Sequence, residues 1–510
     1  MRERLLGLDP TGSSLASNDG RRCHTKPSRC YRMARVVCVC GVSLAPLYST
    51  GNARVRIARI LVVVSVPDLR RTRGSRFSPL VFGASELGRL GPRWAKACAS
   101  KASRVCCAAL LTGGFGFAAL AFDKLATSPV LVAPEMLHPA YLQTVTDPLF
   151  GTRFTRITEP GRLLGPSIYC GSDYCRHRYS SIQAWNADQT LLAVNNGCNG
   201  ICFLEGRTYK PEFHRNMNDD CKWHPTDPAH MICMFHRAIY IWEPRSGKKT
   251  IAYAPAEYAS LQFGPYKGNP SRDGNRLVVR ATNESGALVA FAYDLATRKK
   301  YRDINLDNLP GTNAYCGISP SGRYIYCLHK MDDGTEVTYI HTLDGEQVQH
   351  WTEHHRPGHG DMTIDEDGHD VYVGVSKADP DKWHVIKRRL RDGKVTDLAP
   401  AGYGTHVSTR NSNRPGWAFV SYEGSYSKVV ERHGYAPFYQ EVVAIRIDGS
   451  GEIRRIAQTR NAKSGYYSET HASPSPDASQ VVWSSNWGEP GGPVADYVSK
   501  LSWPRSSSGE

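Results

Sequence analysis

Seven short apolar runs recur along the chain after residue 180, and a polar turn precedes each of them. The runs are rich in β-branched and aromatic residues, which suit a pleated, half-buried strand. They cover residues 191–194, 231–234, 277–279, 324–326, 371–373, 417–420 and 481–483. Pro, Gly, Asp and Asn in the turns favour tight chain reversal. The turns centre on Ala187, Thr226, Asp273, Ser321, Asp367, Ser412 and Asp477. Each unit therefore predicts a strand, a turn and a second strand.

The spacing of these turns predicts the fold. Successive turn centres are 39, 47, 48, 46, 45 and 65 residues apart. A repeat of about 40–50 residues with several short strands is typical of propeller blades. We therefore predict an all-β, seven-bladed β-propeller over residues 151–504. A strand at residues 153–158 is predicted to join the last blade and close the ring.

The residues before the propeller differ in composition. Residues 1–104 are rich in Arg, Ser and Gly, so we expect either a basic extension of low order or a translation start placed too far upstream. Residues 105–122 are uncharged and follow basic residues, which indicates a secretory signal peptide or a membrane anchor. Residues 123–150 are predicted to be a linker. Both interpretations of residues 105–122 place the propeller outside the cytoplasm, as a secreted, periplasmic or cell-surface domain.

The net charge of +15 lies entirely in the extension, because residues 1–104 hold 17 Arg and 3 Lys against 5 acidic residues. A formally neutral propeller lacks the broad basic face that nucleic-acid binding needs. No P-loop or dinucleotide fingerprint occurs in a fitting context, so we expect no nucleotide cofactor. We also expect a monomer.

Eight of the 15 cysteines lie in the repeat region and fall into close neighbours. The pairs are Cys170 with Cys175, Cys198 with Cys202, Cys221 with Cys233, and Cys316 with Cys327. The last two pairs bracket a strand, a turn and a strand, which would bring their side chains opposite one another. An even count in local pairs favours disulfides and an oxidising compartment, whereas the spacings fit a zinc site poorly.

The loops that enter the innermost strands and those that join the second and third strands open on one face of a propeller. Residues rich in His, Tyr and Arg occupy these loops, which suits an anionic sugar because cations bind carboxylates and aromatic faces pack on rings. The candidate substrate-binding residues are Arg178, Asn196, Lys222, His236, Asn486 and Trp487.

Three histidines precede the turns of blades 5, 6 and 7 at similar positions. His359, His406 and His471 lie 8, 6 and 6 residues before their turn centres. Similar positions in successive blades predict that the three imidazoles lie near one another. With Glu469 they form a candidate site for a divalent cation, Mn²⁺ or Ca²⁺ ahead of Zn²⁺. The alternative is that they cap strand ends through hydrogen bonds to neighbouring blades.

A second candidate group combines the sequence Arg176-His177-Arg178-Tyr179 with Tyr266 and Arg280. Proton abstraction beside a carboxylate needs a base, an acid for the leaving oxygen and a cation for the intermediate. His or Tyr can serve as base and acid, and Arg as the cation. In the alternative interpretation, Tyr266 is a packed loop aromatic and Arg280 a solvated strand end. The histidines at 214, 230, 341 and 350 are expected on the surface.

The first half of the repeat region resembles secreted propeller polysaccharide lyases of the ulvan-lyase type. The resemblance lies in residues 146–151 running into 153–158, in residues 176–180 and in residues 183–188. It implies cleavage of a uronate-containing polysaccharide by β-elimination. By motif position His177 would be the histidine of the base and acid pair, Tyr266 its tyrosine and Arg280 the carboxylate neutraliser. The second histidine of that family pattern is absent from residues 195–198.

The C-terminal half is similar to oligogalacturonate lyase, another seven-bladed propeller, which holds Mn²⁺ with histidines and a glutamine. The resemblance implies that His359 occupies the catalytic-base position and that His406 and His471 occupy metal positions. Glu469 stands where that family has a further histidine. The blade turns are also similar to those of TolB-like propellers, which lack activity.

Two functions therefore remain open at the level of the sequence. The first is an exported polysaccharide lyase that acts on an anionic glycan. The second is a non-catalytic propeller that binds a glycan or a protein partner at the cell surface.

Overall fold

A computed structural model describes residues 131, 133–217, 219–263, 268–353, 358–377, 382–400, 402–423 and 437–503. The predicted extension at residues 1–104, the predicted signal or anchor at residues 105–122 and Tyr266 lie outside these residues. Within the described part, the regular structure is β-sheet with 3-10 turns at Leu306–Asn308 and Tyr466–Ser468. None of the helical segments seen there is long and apolar enough to cross a membrane.

The described residues form strands β1 to β32, which build a seven-bladed propeller. Before the first blade come β1 (Thr144–Thr146), β2 (Arg153–Arg156), β3 (Leu163–Gly165), β4 (Ile168–Tyr169) and β5 (Tyr174–Cys175). Blade 1 contains β6 (Leu191–Val194), β7 (Ile201–Glu205) and β8 (Pro211–Arg215). Blade 2 contains β9 (Asp220–Trp223), β10 (Met231–Phe235), β11 (Ala238–Trp242) and β12 (Lys249–Tyr253). Blade 3 contains β13 (Tyr258–Phe263), β14 (Arg276–Asn283), β15 (Leu288–Asp294), β16 (Lys299–Lys300) and β17 (Ile304–Asn305).

Blades 4 to 7 contain the remaining strands. These are β18 (Thr312–Ile318), β19 (Tyr324–Lys330), β20 (Glu336–Thr342), β21 (Gln347–Glu353); β22 (Gly358–Ile364), β23 (Asp370–Val375), β24 (Val385–Arg389), β25 (Val395–Ala399); β26 (Gly404–Ser408), β27 (Trp417–Tyr422), β28 (Glu441–Arg446), β29 (Ile453–Gln458); and β30 (Ser473–Pro474), β31 (Gln480–Ser485), β32 (Val494–Lys500). Most neighbouring strands pair antiparallel in chain order, as the repeat predicts, whereas β17 pairs with β15 and β5 pairs parallel with β32.

The ring closes through a strand from the N-terminal side of the propeller. β2 pairs antiparallel with β32, with Arg153 opposite Lys500 and Arg156 opposite Tyr497. This confirms the predicted closing strand, which ends at Arg156 rather than at residue 158. β1 lies inside the predicted linker and pairs with β2, so it adds an outermost strand to blade 7.

The predicted turns join the first two strands of the blades and share one hydrogen-bonding device. In blade 7 the Asp477 carboxylate accepts from Ser475 Oγ at 2.9 Å and from the Ser479 amide at 2.8 Å. In blade 3 Asp273 accepts in the same way from Ser271 Oγ, at 2.5 Å. An Asp that satisfies its own turn stabilises the reversal locally, which is why the turn chemistry was readable along the chain.

Aromatic packing holds the closing strand in place. Phe154 of β2, Trp483 of β31 and Tyr497 of β32 are all fully buried. The rings of Trp483 and Tyr497 stack with centroids 4.6 Å apart, and Phe154 lies 5.5 Å from Trp483. Truncating one such buried aromatic to Ala costs about 3–5 kcal/mol, so this contact is a main part of ring closure.

Disulfides join all four predicted cysteine pairs in the described part of the chain: Cys170–Cys175, Cys198–Cys202, Cys221–Cys233 and Cys316–Cys327. Cys221 stands opposite Cys233 in the β9–β10 ladder, and Cys316 opposite Cys327 in the β18–β19 ladder. Each of these two pairs spans a strand, a turn and a second strand, so the prediction made from this spacing is confirmed. Disulfides of this kind persist in oxidising compartments.

Candidate active site at the entries of blades 5 to 7

The predicted histidines sit where the chain enters the innermost strands of three successive blades. His359 lies at the start of β22, His406 at the start of β26, and His471 two residues before β30. The β22–β23 register shifts between Gly358 and Asp361, and the β26–β27 register shifts just before His406. Such bulges re-aim a side chain at the end of a strand.

Two of these histidines adopt a backbone conformation that is unfavourable for a residue with a Cβ. The φ angle is 54° at His359 and 47° at His471. Left-handed conformations of non-glycine residues cost about 1–3 kcal/mol and concentrate at functional sites, where surrounding contacts hold them. Backbone strain is therefore found at two of the three histidines that the blade spacing predicted to lie together.

The imidazoles meet around one carboxylate. His406 Nε2 lies 2.9 Å and His471 Nε2 lies 3.2 Å from Oε2 of Glu469. On the other side of His406, its Nδ1 lies 3.2 Å from Nδ1 of His359. The donor atoms of His406, Glu469 and His471 all lie within 4.8 Å of one another. The predicted convergence of the three blades is thus present in the structure.

Burial sets the protonation states of this group. It lowers the pKa of His406 to about 4, and it also lowers the pKa of His471, with the neighbouring His406 adding to the effect. Burial by itself would raise the pKa of Glu469, but hydrogen bonds from His406 and His471 outweigh it and lower that pKa. Two neutral imidazoles therefore face an ionised carboxylate, and these are the protonation states that bind a metal ion.

The donor and the acceptor of each hydrogen bond follow from these charge states. An ionised Glu469 only accepts, so Nε2 of His406 carries its hydrogen and donates. A neutral His406 then has its lone pair on Nδ1, and the contact with His359 is a donation from Nδ1 of His359. We assign the tautomers from this network. An uncharged His359, which is half-buried, consequently has its lone pair on Nε2.

Tyr179 from the entry of blade 1 completes the group from the opposite side. Its ring centroid lies 4.9 Å from that of His471, 5.1 Å from that of His406 and 6.1 Å from that of His359. The ring is half-buried. A phenol beside three imidazoles provides a second group that can exchange a proton with a ligand.

Lys463 and Glu423 are part of the site, and neither was predicted. Lys463 Nζ lies 2.5 Å from Glu469 Oε1 and 3.7 Å from Glu423 Oε2. One third of the Lys463 side chain is exposed, whereas Glu423 is fully buried. Burial and the charge of Glu469 raise the pKa of Glu423 to about 7. A signal for Lys463 was the step of 65 residues between the last two turns, which leaves room for extra loop residues there.

His177 supports the site from behind. Its Nδ1 lies 2.9 Å from Asp496 of β32, and its Nε2 lies 2.7 Å from the carbonyl oxygen of His471. The side chain is fully buried. In this position His177 fixes the backbone of His471 and joins blade 1 to blade 7, and its predicted catalytic role stays a prediction.

Arg176 is also buried and extends under the loop that enters blade 7. Its Nη1 donates to the carbonyl oxygen of Tyr467 at 2.6 Å. Burial lowers the pKa of this guanidinium, although Asp496 and Glu423 oppose the shift. Arg176 thus anchors the loop that carries Glu469 and His471.

Arg280 of the lyase-type group and the candidate substrate-binding residue Asn196 both have partners within the protein. Arg280 of β14 donates from Nη1 to Asn313 Oδ1 at 3.1 Å, across the junction between blades 3 and 4. Its predicted role as carboxylate neutraliser stays a prediction, as does the role of Tyr266, which lies outside the described residues. Asn196 donates from Nδ2 to the carbonyl oxygen of His177 at 3.1 Å.

The remaining predicted substrate-binding residues have protein partners. Arg178 and the buried Lys222 both bind Asp220 Oδ1, at 3.0 and 2.8 Å. His236 is exposed on the loop between the second and third strands of blade 2. The carboxamide of the buried Asn486 and the indole of Trp487 bond to backbone groups, namely Ala462 and Met136. Of this set, His236 is exposed, Arg178, Asn196 and Trp487 are half-buried, and Lys222 and Asn486 are buried.

The donor set of His406, Glu469 and His471 fits a divalent cation. Neutral imidazoles together with a carboxylate are ligands for Mn²⁺ and Zn²⁺. Nδ1 of the buried His471 has no hydrogen-bond partner in the described structure, so hydrogen bonds do not occupy both nitrogens of this ring. The three side chains would hold the ion, and it would supply positive charge beside an anionic group of a ligand.

Neither a protein-family model nor a curated protein matches the sequence. Solved structures do match, among them an oligogalacturonate lyase from Vibrio parahaemolyticus. That match has a TM-score of 0.45 and 13% sequence identity, and it covers 71% of this chain and 96% of the other. Likeness at this level concerns the propeller fold and does not transfer an activity. The resemblance to ulvan-lyase-type and TolB-like propellers stays a prediction.

Proposed function

We propose that the chain is an exported lyase that cleaves a uronate-containing glycan by β-elimination. One observation carries the proposal: imidazoles from three blades gather at an ionised carboxylate, two of them held neutral by burial, with a half-buried tyrosine and a partly exposed lysine beside them. Base, acid and cation are the groups that this reaction requires.

In β-elimination a base removes the proton from C5 of the uronate, next to the carboxylate. The electrons of the C5–H bond form a C4=C5 double bond, and the bond between C4 and the glycosidic oxygen breaks. That oxygen takes up a proton from an acid and leaves as a hydroxyl group, so no water is consumed. A cation beside the carboxylate stabilises the enediolate-like intermediate.

His359 and Tyr179 are the groups that we assign to the proton transfers. Because His359 donates from Nδ1 to His406, its lone pair is on Nε2. We therefore assign His359 as the base and Tyr179 as the acid. A cation held by His406, Glu469 and His471 would supply further positive charge beside the substrate carboxylate. Lys463, one third of whose side chain is exposed, contributes positive charge beside the substrate carboxylate.

The disulfides support the exported location, because cytosolic thiols are kept reduced. We propose a secreted, periplasmic or cell-surface enzyme that works on an extracellular glycan. The monomeric state stays an expectation.

The test is to incubate the full-length chain with polygalacturonate, alginate and glucuronate-containing polysaccharides, with Mn²⁺ or Ca²⁺ added or chelated. The product double bond is conjugated with the carboxylate and absorbs ultraviolet light, so turnover is read directly. His359→Ala and Tyr179→Phe are expected to lower kcat by roughly 10²–10⁴-fold. His350→Ala, an exposed histidine of blade 4, is the matched control. Equal rates in all four proteins contradict the assignment.

A non-catalytic glycan-binding propeller is the second candidate, and one observation favours it. His406 and His471 are buried and bonded to Glu469, so they do not face a ligand directly. Binding of one glycan in the panel without any rise in absorbance, with or without metal, would select this function over the lyase.

A further inference from the structure

A pair of exposed tyrosines lies on the loop that enters blade 7. Tyr466 and Tyr467 are 49% and 47% exposed, although both are large aromatic side chains. The Tyr467 ring stacks on Tyr174 of β5 with centroids 4.3 Å apart and planes within 3° of parallel. Tyr466 stands nearly perpendicular to Tyr467, at 5.3 Å. We call these three residues the tyrosine platform.

The tyrosine platform is continuous with the candidate active site. The ring of Tyr466 lies 5.3 Å from that of His471. His471 in turn contacts Tyr179, with ring centroids 4.9 Å apart. A line of ring contacts thus runs from the outer surface to the imidazoles around Glu469. The platform therefore lies next to the candidate active site.

The backbone under the platform is held by buried polar groups. Arg176 donates to the carbonyl oxygen of Tyr467 at 2.6 Å. Ser468 Oγ donates to the carbonyl oxygen of Gly465 at 2.8 Å and accepts from the Ser464 amide at 2.7 Å. The exposed rings are therefore carried on an anchored loop, which lowers the entropy that a ligand would have to remove on binding.

The charge beside the platform selects the type of ligand. Lys463 lies three residues before Tyr466, and one third of its side chain is exposed. An aromatic surface next to an ammonium group suits a chain that alternates apolar ring faces with carboxylates, because ring faces pack on aromatics and carboxylates bind the cation.

We propose that the tyrosine platform is a sugar-binding subsite for the part of a uronate glycan that extends beyond the residue in the candidate active site. The inference rests on the proposed function and adds to it a second sugar-binding site, next to the candidate active site, for a further unit of the same glycan. The C–H face of a pyranose packs on Tyr466 and Tyr467, while Lys463 stays with the carboxylate of the unit in the candidate active site. The platform contributes to binding and takes no part in proton transfer.

The test measures glycan affinity separately from turnover. The full-length chain is titrated with homologous oligogalacturonides and oligoglucuronates of increasing length, in the His359→Ala background so that the glycan stays intact. The double change Tyr466→Ala and Tyr467→Ala is expected to weaken binding of the longer oligomers by about tenfold. The shortest oligomer that binds is expected to lose much less. Tyr169→Ala, which removes a tyrosine of 47% exposure from β4, is the matched control and is expected to bind as the parent does.

In the active chain the double variant is expected to raise KM for long glycans by a similar factor while kcat changes little. Tight binding with no turnover in the parent would refute the lyase proposal and leave the subsite supported if the double variant binds weakly. An affinity that is equal in the parent and the double variant overturns the subsite even if cleavage is observed. Absence of binding to every oligomer in the parent overturns both.

Discussion

Two groups of histidines in this propeller have different surroundings. The first group, His359, His406 and His471, is assembled from the entries of three blades around Glu469. The second lies within blade 4, where His329 and His341 contact the ring of Tyr339 with centroids 5.2 and 6.5 Å away. His341 was expected on the surface, and the structure buries it in β20. Position in the blade therefore decides whether an imidazole belongs to a site or to the core.

The difference between the groups comes from the backbone and from the carboxylate. His341 stands opposite Ile325 in the β19–β20 ladder, while the β20–β21 register shifts beside it, and it lacks the left-handed φ of His359 and His471. Its Nδ1 has no hydrogen-bond partner in the described residues, and burial lowers its pKa to about 4. His406 has a similarly lowered pKa, but an ionised Glu469 accepts from it. Burial alone keeps an imidazole neutral. Neutral imidazoles that face a carboxylate form, together with it, a candidate set of metal ligands.

The largest expected effect is the loss of this carboxylate. Glu469→Gln keeps the shape of the side chain and removes its charge, so we expect Mn²⁺ affinity to fall by at least about 100-fold, as for losses of metal-site groups generally. Titration calorimetry with Mn²⁺ checks this. His341→Leu is the control and is expected to bind Mn²⁺ as the parent does. Unchanged affinity in Glu469→Gln would refute the metal site.

Metal binding should also stabilise the folded chain. At a free Mn²⁺ concentration of about 100 times Kd, linkage adds about 2.7 kcal/mol to the free energy of unfolding. We expect the midpoint of thermal unfolding to rise with Mn²⁺ in the parent and in His341→Leu, and to stay constant in His406→Ala. A rise of the same size in His406→Ala would place the ion elsewhere.

The blade 4 group should make stability depend on pH. The pKa of His341 is lowered to about 4 by burial and by His329, whereas in the unfolded chain a histidine titrates near its ordinary value of 6.5. The unfolded state therefore takes up the proton first. Stability contributed by this residue is complete above the unfolded value and is lost as pH falls from there toward 4, by roughly 2–3 kcal/mol in total.

His341→Leu is expected to flatten the fall in stability over this pH range, since the buried ring no longer has a proton to exclude. Urea unfolding of parent and variant at several pH values measures the difference. Parallel curves for the two proteins would mean that other groups cause the acid dependence.

The smallest effect is expected at the exposed edge of the same blade. His350 lies on β21 with its side chain in solvent, and its ring stacks on Tyr339 at a centroid distance of 6.2 Å. His350→Ala is expected to change the free energy of unfolding by less than about 0.5 kcal/mol, as is usual for surface positions. A change above about 1 kcal/mol in urea unfolding would show that His350 belongs to the buried group after all.

Much of the fold was predictable, because the signals for it are local. Turn residues such as Asp477 satisfy their own backbone, and the strands on either side follow at once. Cys221 and Cys233 meet because a single turn separates their strands. β1 was missed and assigned to the linker, since three residues carry too little pattern to be recognised as a strand.

The site was predicted only in part, for a related reason. His359, His406 and His471 repeat at similar distances from their turns, so the spacing carried information about where they converge. Glu423 and Lys463 have no counterpart in other blades, and Tyr179 reaches the cluster from blade 1. The partners of Asn486 and Trp487 come from outside their own strands, which no spacing reveals.

The sequence by itself determined the number of blades, the disulfide pairs and the three entry histidines, because each depends on contacts between residues close in the chain or on a regular period. The closing strand was predicted from the way propellers in general close their ring. Only the tertiary structure decided that Glu469 stands between His406 and His471, that Lys463 and Tyr179 join them, and that His177 lies behind the site. His177 and Asp496 are 319 residues apart in sequence and in contact in space. Ring closure brings the two ends of the propeller together, and it creates contacts that neither end encodes alone.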